Sequence, residues 1–277
     1  LKDPHPAGYR TGSRIANQEE KYMRYVRYAH GDQDFWGLLL TDDLIQPLTA
    51  APYQRGVPLG QPVPLSAVRL LAPCEPSKIV AVGKNYRDHI QEFNGDVPET
   101  PILFIKPTTA INAPGAAIKL PPPALSQRID YECELAVVIS RTASKIKAAD
   151  AAGYILGYTC LNDVTARDIQ KQDGQWTRAK GFDTFAPIGP LVTDEVDPGN
   201  LIIRTRLNGK IRQESSTRHL IWPVGELIEF ITAAMTLLPG DVVTTGTPAG
   251  VGPMQHRDVV EVSIEGIGVL SNPVQAG

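Results

Sequence analysis

The chain has 277 residues, of which 42% are hydrophobic and 21% charged, with a formal net charge of −3. These values are those of an ordinary globular protein and leave no basic face for a phosphate backbone, which excludes a disordered or fibrous class and makes nucleic acid an unexpected partner. Apolar runs such as residues 135–139 are far shorter than the ~20 residues a membrane helix needs, so no membrane partner is expected either.

Residues 1–22 are polar, carry Pro4, Pro6, Gly8 and Gly12, and lack the apolar run of a signal peptide; they read as an extension or expression remnant. Residues 23–75 are expected to form a small N-terminal β-rich domain. In it, short strands over 25–28 and 35–40 flank the turn signal Gly31-Asp32, and a proline-rich connector (Pro58, Pro62, Pro64, Pro73, Pro76) leads to a boundary near Glu75. The larger unit, 76–277, carries apolar strand patterns at 79–82, 102–105, 135–139, 201–207, 242–245 and 259–264. Two helices are predicted, over 162–172 and 223–237; Pro223 marks the start of the second and Pro239-Gly240 follows its end. Helices and strands do not alternate regularly, which disfavours a doubly wound sheet or a (β/α) barrel and predicts an α+β, mainly β fold. Cys74, Cys133 and Cys160 are widely spaced and form no CxxC pair, which argues against a disulfide framework or thiolate zinc site and suits a cytoplasmic protein.

The stretch IDYECELAV (129–137) carries the clearest chemistry. Period-two alternation puts Glu132 and Glu134 on one strand face, about 6.8 Å apart, with Tyr131, Cys133 and Leu135 on the other. Two neighbouring carboxylates entering an apolar core need a cation, and oxygen ligands suit Mg²⁺, with Mn²⁺ as the substitute; on an edge strand the same pair would simply face water. Asp163, placed in the first turn of the predicted 162–172 helix, is either a third ligand or a residue that caps and complements that helix. His89 and Glu92, three apart after a buried strand, share one face if helical: a general base held by a carboxylate, or a surface pair. The polar 93–101 stretch that follows suits a mobile lid or a plain surface loop. Lys180, in a pocket, would stabilise an enolate or carboxylate; elsewhere it is a solvated lysine. Gly246–Gly252 (GTPAGVG) lacks the GK[ST] of a phosphate loop and reads as a tight turn that presents Thr247 to a carboxylate.

Together GKNYRDHIQE, FIKP, DYECELAVVI, LNDVTARD, the lysine of AKGFD and GTPAGVG, in that order from about residue 78 to 274, resemble the fumarylacetoacetate hydrolase family. The resemblance implies a mixed β-roll that forms a homodimer, and a metal triad of Glu132, Glu134 and Asp163 that holds Mg²⁺. It implies further that His89 and Glu92 activate water on a lid, and that Lys180, Arg167, Gln170 and Thr247 meet the carboxylate and oxo groups of a 2-oxo acid. Asn85 and Tyr86, near the lid hinge, count among the substrate-binding residues. The expected activity is hydrolysis of an acylpyruvate such as fumarylpyruvate, with oxaloacetate decarboxylation or 2-hydroxyhepta-2,4-diene-1,7-dioate isomerisation as alternatives, and a non-catalytic binding protein on the same scaffold as a remote one. The N-terminal unit is much shorter than that of the eukaryotic namesake enzyme, which points away from fumarylacetoacetate itself.

Overall fold

Alternation of apolar and polar residues across Arg24–His30 and Gln33–Thr41 makes a hairpin, and a third strand, Leu44–Leu48, extends it. The computed structural model describes residues 23–277, so the segment read above as an extension lies outside the described residues. The first strand also pairs with Ala186–Thr193, through Arg24↔Thr193 and Tyr25↔Val192, so the N-terminal strands continue the main sheet of the larger unit.

From Ala186–Thr193 that sheet runs on through Ile155–Asn162, Cys133–Ile139, Val242–Thr244 and Ile79–Gly83 to Ile102–Lys106. The Val242–Thr244 and Ile79–Gly83 strands are parallel, which makes the sheet mixed. A five-stranded sheet built on Ile202–Leu207, Val259–Ile264 and Gly268–Ala276 packs on it, and a small sheet joins Thr165–Ala166, Ile129–Tyr131 and Gly252–Pro253. The fold is therefore mainly β with several mixed sheets, as the strand patterns predicted. Leu135, Val137 and Ile139 of the central strand bury against Ile203, Val262 and Ile264 of the five-stranded sheet.

Among the described residues four α-helices serve this framework: α1 (Arg87–Glu92), α2 (Arg167–Asp173), α3 (Thr177–Lys180) and α4 (Val224–Ala234). None is long and apolar enough to cross a membrane. Pro223 is the N-cap of α4, whose buried stripe is Leu227, Ile228 and Ile231, while Ala234 and Leu238 are exposed. The helix predicted over 162–172 is displaced. Asn162 is still in the ladder opposite Cys133, Asp163 lies in the link that follows, and α2 begins only at Arg167. The Asn162 side-chain oxygen accepts the Glu132 N–H (2.9 Å) and the Thr165 hydroxyl donates to the Asp163 carbonyl (2.8 Å), so local side-chain bonds hold these residues out of the helix.

Asp241 ties the start of the larger unit to the turn that follows α4. Its fully buried carboxylate accepts the Ser77 N–H (2.9 Å) and hydroxyl (2.7 Å), the Lys78 N–H (3.2 Å) and the Leu238 N–H (2.8 Å), and it pairs with the Lys78 ammonium. Asp241→Ala orphans all of these donors and is expected to destabilise the protein by about 3–5 kcal/mol, the usual result of breaking a buried pair from one side. Urea denaturation measures this; a midpoint unchanged from wild type contradicts it.

Candidate active site

The expected strand over 129–137 is interrupted at Glu132, where the chain leaves the Ile129–Tyr131 strand and enters Cys133–Ile139. The break turns Glu132 towards Glu134, and Asp163, whose N–H donates to the Glu132 carbonyl (2.9 Å), comes in beside both. Ligand oxygens of Glu132, Glu134 and Asp163 lie within 4.8 Å of one another, and all three residues are buried. The edge-strand and helix-cap readings of these acids therefore do not hold.

Burial of carboxylates this close requires positive charge. Lys180, at the end of α3, donates to Glu132 Oε2 and Asp163 Oδ2, both at 2.6 Å. Arg167, the first residue of α2, donates from Nη2 to Glu132 (2.5 Å), from Nε to Asp130 (2.9 Å) and from Nη1 to the Gln170 side-chain oxygen (2.7 Å). Lys106, at the end of the Ile102–Lys106 strand, is fully buried and donates to Asp163 Oδ1 at 2.6 Å. Lys106 and Asp130 were not singled out as site residues from the sequence, although both lie in the motifs quoted above. The signal for Lys106 is a cation closing an otherwise apolar strand.

The charges pull these groups in opposite directions. Burial alone would raise the Glu132 carboxyl, but Lys180 and then Arg167 outweigh it and hold the group well below the ordinary carboxylate range. Glu134 has no such partner: burial first, then the charges of Asp163 and Glu132, push it up to about 8. Its Oε2 accepts only the Gly246 N–H (2.9 Å) among backbone donors. Burial would lower Lys180, but Asp163 and Glu132 outweigh this and hold it raised, whereas burial dominates at Lys106 and lowers it. Asp130 is paired with Arg128 as well as Arg167, Glu132 and Asp163 are paired with Arg167, Lys180 and Lys106, and Glu134 makes no ion pair. This all-oxygen donor set fits a hard divalent cation.

A cavity of about 240 Å³ opens onto the triad. His89, Arg167, Gln170, Lys180 and Thr247 line it, together with Phe104 and Trp176, whose rings meet edge to face at 5.3 Å. Gly83 makes room for Trp176, since a Cβ there would lie 2.2 Å from the indole ring. His89 Nδ1 is 3.2 Å from Glu92 Oε2, and burial lowers the His89 pKa against the opposing pull of Glu132 and Glu92. Glu92 in turn accepts the Gly250 N–H (3.2 Å). Gly250 has φ +97°, and a Cβ on it would lie 2.3 Å from the Arg212 carbonyl oxygen, so this docking point for α1 requires glycine. Phe93, just after α1, lies over the Arg167 guanidinium at 5.3 Å.

Asn85 and Tyr86, counted above among the substrate-binding residues, are not among the residues that line this cavity. The Asn85 amide donates to the Trp222 and Thr245 carbonyls (3.1 and 2.8 Å) and accepts the Trp222 N–H (2.8 Å), leaving little to offer a ligand. Tyr86 is fully buried in the main core. Both brace the segment that carries α1. Thr247 does reach the cavity, and its hydroxyl accepts from the buried Gln213 amide at 2.8 Å.

Residues 78–275 match the model of the fumarylacetoacetate hydrolase C-terminal family. The chain belongs to this family. Residues 23–73 match a separate model, Rv2993c-like, N-terminal. The rat mitochondrial oxaloacetate tautomerase Fahd2a is 44% identical over 224 residues, covering 76% of this chain and 71% of that protein. A 2-hydroxyhepta-2,4-diene-1,7-dioate isomerase from Mycobacterium marinum superposes with a TM-score of 0.85 at 45% identity, over 92% of this chain and 98% of that one. A maleylpyruvate hydrolase from Sphingobium sp. SYK-6, in complex with manganese(II) and pyruvate, superposes with a TM-score of 0.75 at 28% identity, over 92% of this chain and 100% of that one. These family relatives are enzymes, and an acidic triad that can hold a metal ion lies in the cavity of this member.

Proposed function

We propose that this family member is a Mg²⁺- or Mn²⁺-dependent hydrolase that cleaves a carbon–carbon bond in acylpyruvate-type 2-oxo acids, of which fumarylpyruvate is an example. The observation that carries this reading is the His89–Glu92 pair on the wall of the cavity that holds the acidic triad. Glu132, Glu134 and Asp163 would hold the cation, which when bound supplies Lewis-acid polarisation of a 2-oxo group. With Nδ1–H donated to Glu92, the neutral His89 keeps Nε2 free to take a proton from water, and the hydroxide adds to the distal carbonyl. The carbon–carbon bond then breaks, its electron pair remaining on the pyruvate fragment as an enolate. Lys180 is placed to stabilise that charge and Arg167 and Gln170 to orient the acid, while the Phe104 and Trp176 rings exclude water. The bound manganese and pyruvate of the maleylpyruvate hydrolase support the reading.

A second reading, transfer of a proton between keto and enol or diene forms, is favoured by the names of the tautomerase and isomerase relatives. It needs the same base but no attacking water. Steady-state assays with acetylpyruvate, fumarylpyruvate and oxaloacetate, with added Mg²⁺ or Mn²⁺ and with chelator, separate the two. Hydrolysis releases pyruvate and a second acid, tautomerisation changes only the enol absorbance, and decarboxylation of oxaloacetate releases CO₂. Pyruvate release that survives chelation overturns the metal-dependent mechanism.

We also propose that the chain is a homodimer, as the family resemblance implies. Sedimentation at micromolar concentration should show a species of twice the chain mass; a monomer alone contradicts this.

A further inference from the structure

Gln213 is a buried amide on a strand that otherwise faces water. In the Lys210–Ser216 strand, Lys210, Ile211, Arg212 and Glu214 are exposed, whereas Gln213 is only 1% exposed. Period-two alternation alone would put Gln213 on the face of Ile211, which is 50% exposed. A bulge prevents this. The register passes from Arg206↔Ile211 to Thr205↔Gln213, so Arg212 is an extra residue and the side chain after it is turned inward. The bulge abuts the Gly246–Gly252 turn, where the Arg212 carbonyl lies against Gly250.

Once inside, Gln213 uses all of its hydrogen-bonding capacity. Its side-chain oxygen accepts the Cys133 N–H (3.0 Å) and the Thr205 hydroxyl (2.7 Å), and its nitrogen donates to the Pro248 carbonyl and to Thr247 Oγ1, both at 2.8 Å. A backbone N–H only donates and a carbonyl only accepts, so Cys133 and Pro248 settle which end of the amide is oxygen and which is nitrogen. Thr247 Oγ1 must therefore accept from Gln213. Among the described residues its hydroxyl has no other hydrogen-bond partner, and the open side is the cavity that Thr247 lines.

We propose that Gln213 is a positioning residue that fixes the polarity of Thr247. It occupies the hydroxyl oxygen as a donor, so the hydroxyl proton faces the cavity and Thr247 serves the ligand as a donor. The ligand atom met there is an acceptor, a carboxylate or oxo oxygen; a group that only donates, such as an ammonium, finds no partner. Through the Cys133 N–H the same amide holds the strand break between Glu132 and Glu134, which ties the turn to the triad. The identity of the ligand oxygen rests on the reading of the cavity as a 2-oxo acid site.

Two measurements test this. Neutron diffraction on the deuterated protein without ligand locates the exchangeable deuterons: the Gln213 amide should point one at Thr247 Oγ1 and one at the Pro248 carbonyl, and the Thr247 deuteron should lie on the cavity side. A Thr247 deuteron pointing at Gln213 overturns the proposal. In solution, pyruvate, whose oxygens only accept, is titrated calorimetrically into the protein at saturating Mg²⁺. Thr247→Val is expected to weaken binding by about tenfold, the worth of one hydrogen bond to a charged group, whereas Thr247→Ser, which keeps the hydroxyl, should bind as the wild type does. Gln213→Met opens all three staggered positions to the Thr247 proton and should weaken binding by about threefold. In the Thr247→Val background the same change should cost nothing further. An equal loss in both backgrounds shows that Gln213 only supports the turn and removes the positioning role. If Gln213→Met fails to fold, the deuteron positions decide. Failure of pyruvate to bind any form, with the deuterons as expected, removes the 2-oxo acid reading and leaves the fixed hydroxyl standing.

Discussion

Glu134→Gln is expected to give a folded protein with no Mg²⁺- or Mn²⁺-dependent turnover and no thermal stabilisation by either ion. Glu134 is the acid in the triad that makes no ion pair: its carboxyl is pushed up to about 8 by burial and by its acidic neighbours against the opposing pull of Lys180, and its backbone contact is the Gly246 N–H. A neutral amide there relieves repulsion while removing a ligand. In the wild type, cation at a hundredfold excess over its dissociation constant should stabilise the protein by about 2.7 kcal/mol, visible as a raised melting temperature. Glu132→Gln behaves differently, because Glu132 is an acceptor for both Arg167 and Lys180 and its loss leaves buried cations short of partners. That variant should lose both activity and about 3–5 kcal/mol of stability. Melting curves with and without cation distinguish the two; undiminished ion-dependent activity in Glu134→Gln would show that the triad is not the metal site.

His89→Gln should lower acylpyruvate hydrolysis by roughly 10² to 10⁴-fold, the contribution of a positioned general base. Side-chain contacts of His89 are with Glu92 and the edge of Phe93, on a short helix at the cavity wall, so the loss should not be accompanied by unfolding. Tautomerisation through the same base should fall in parallel, and oxaloacetate decarboxylation, which needs no attacking water, should fall less. Lys180→Met should depress every reaction that passes through a pyruvate enolate, and it should also destabilise the fold, since it strands Glu132 and Asp163 together. Steady-state kinetics on the three substrates, read beside a melting curve, checks both variants. Equal loss of hydrolysis and decarboxylation in His89→Gln would show that His89 acts by closing the lid and not as the base.

Local patterns were enough to find most of the participants, because alternation and chain spacing depend only on neighbouring residues. The apolar runs marked the central strands, Pro223 marked the start of α4, and His89 with Glu92 made the helical pair that the spacing predicted. The order of the six motifs was enough to indicate the family. The same local view failed at Asp163, where a helix pattern was cut short by bonds from Asn162 and Thr165 to the neighbouring backbone. It gave no sign that Asn85 would bond the Thr245 carbonyl or that Tyr86 would be buried in the main core.

What the sequence by itself determined is thus the mainly β class, the acids at 132, 134 and 163 as a group, and the pairing of His89 with Glu92. Only the tertiary structure decided how the acids are compensated. Lys106 meets Asp163 across 57 residues of chain, Lys180 meets Glu132 across 48, and Arg167 meets Asp130 across 37. From the sequence the acids looked like neighbouring carboxylates in need of a cation that the sequence did not identify. Strand pairing between distant segments converts them into a buried ion-pair network in which Glu132 and Asp163 are held by cations and Glu134 makes no ion pair. The physical reason is that a residue's face is fixed by local backbone periodicity, whereas the charge opposite it depends on which strands the whole chain sets side by side.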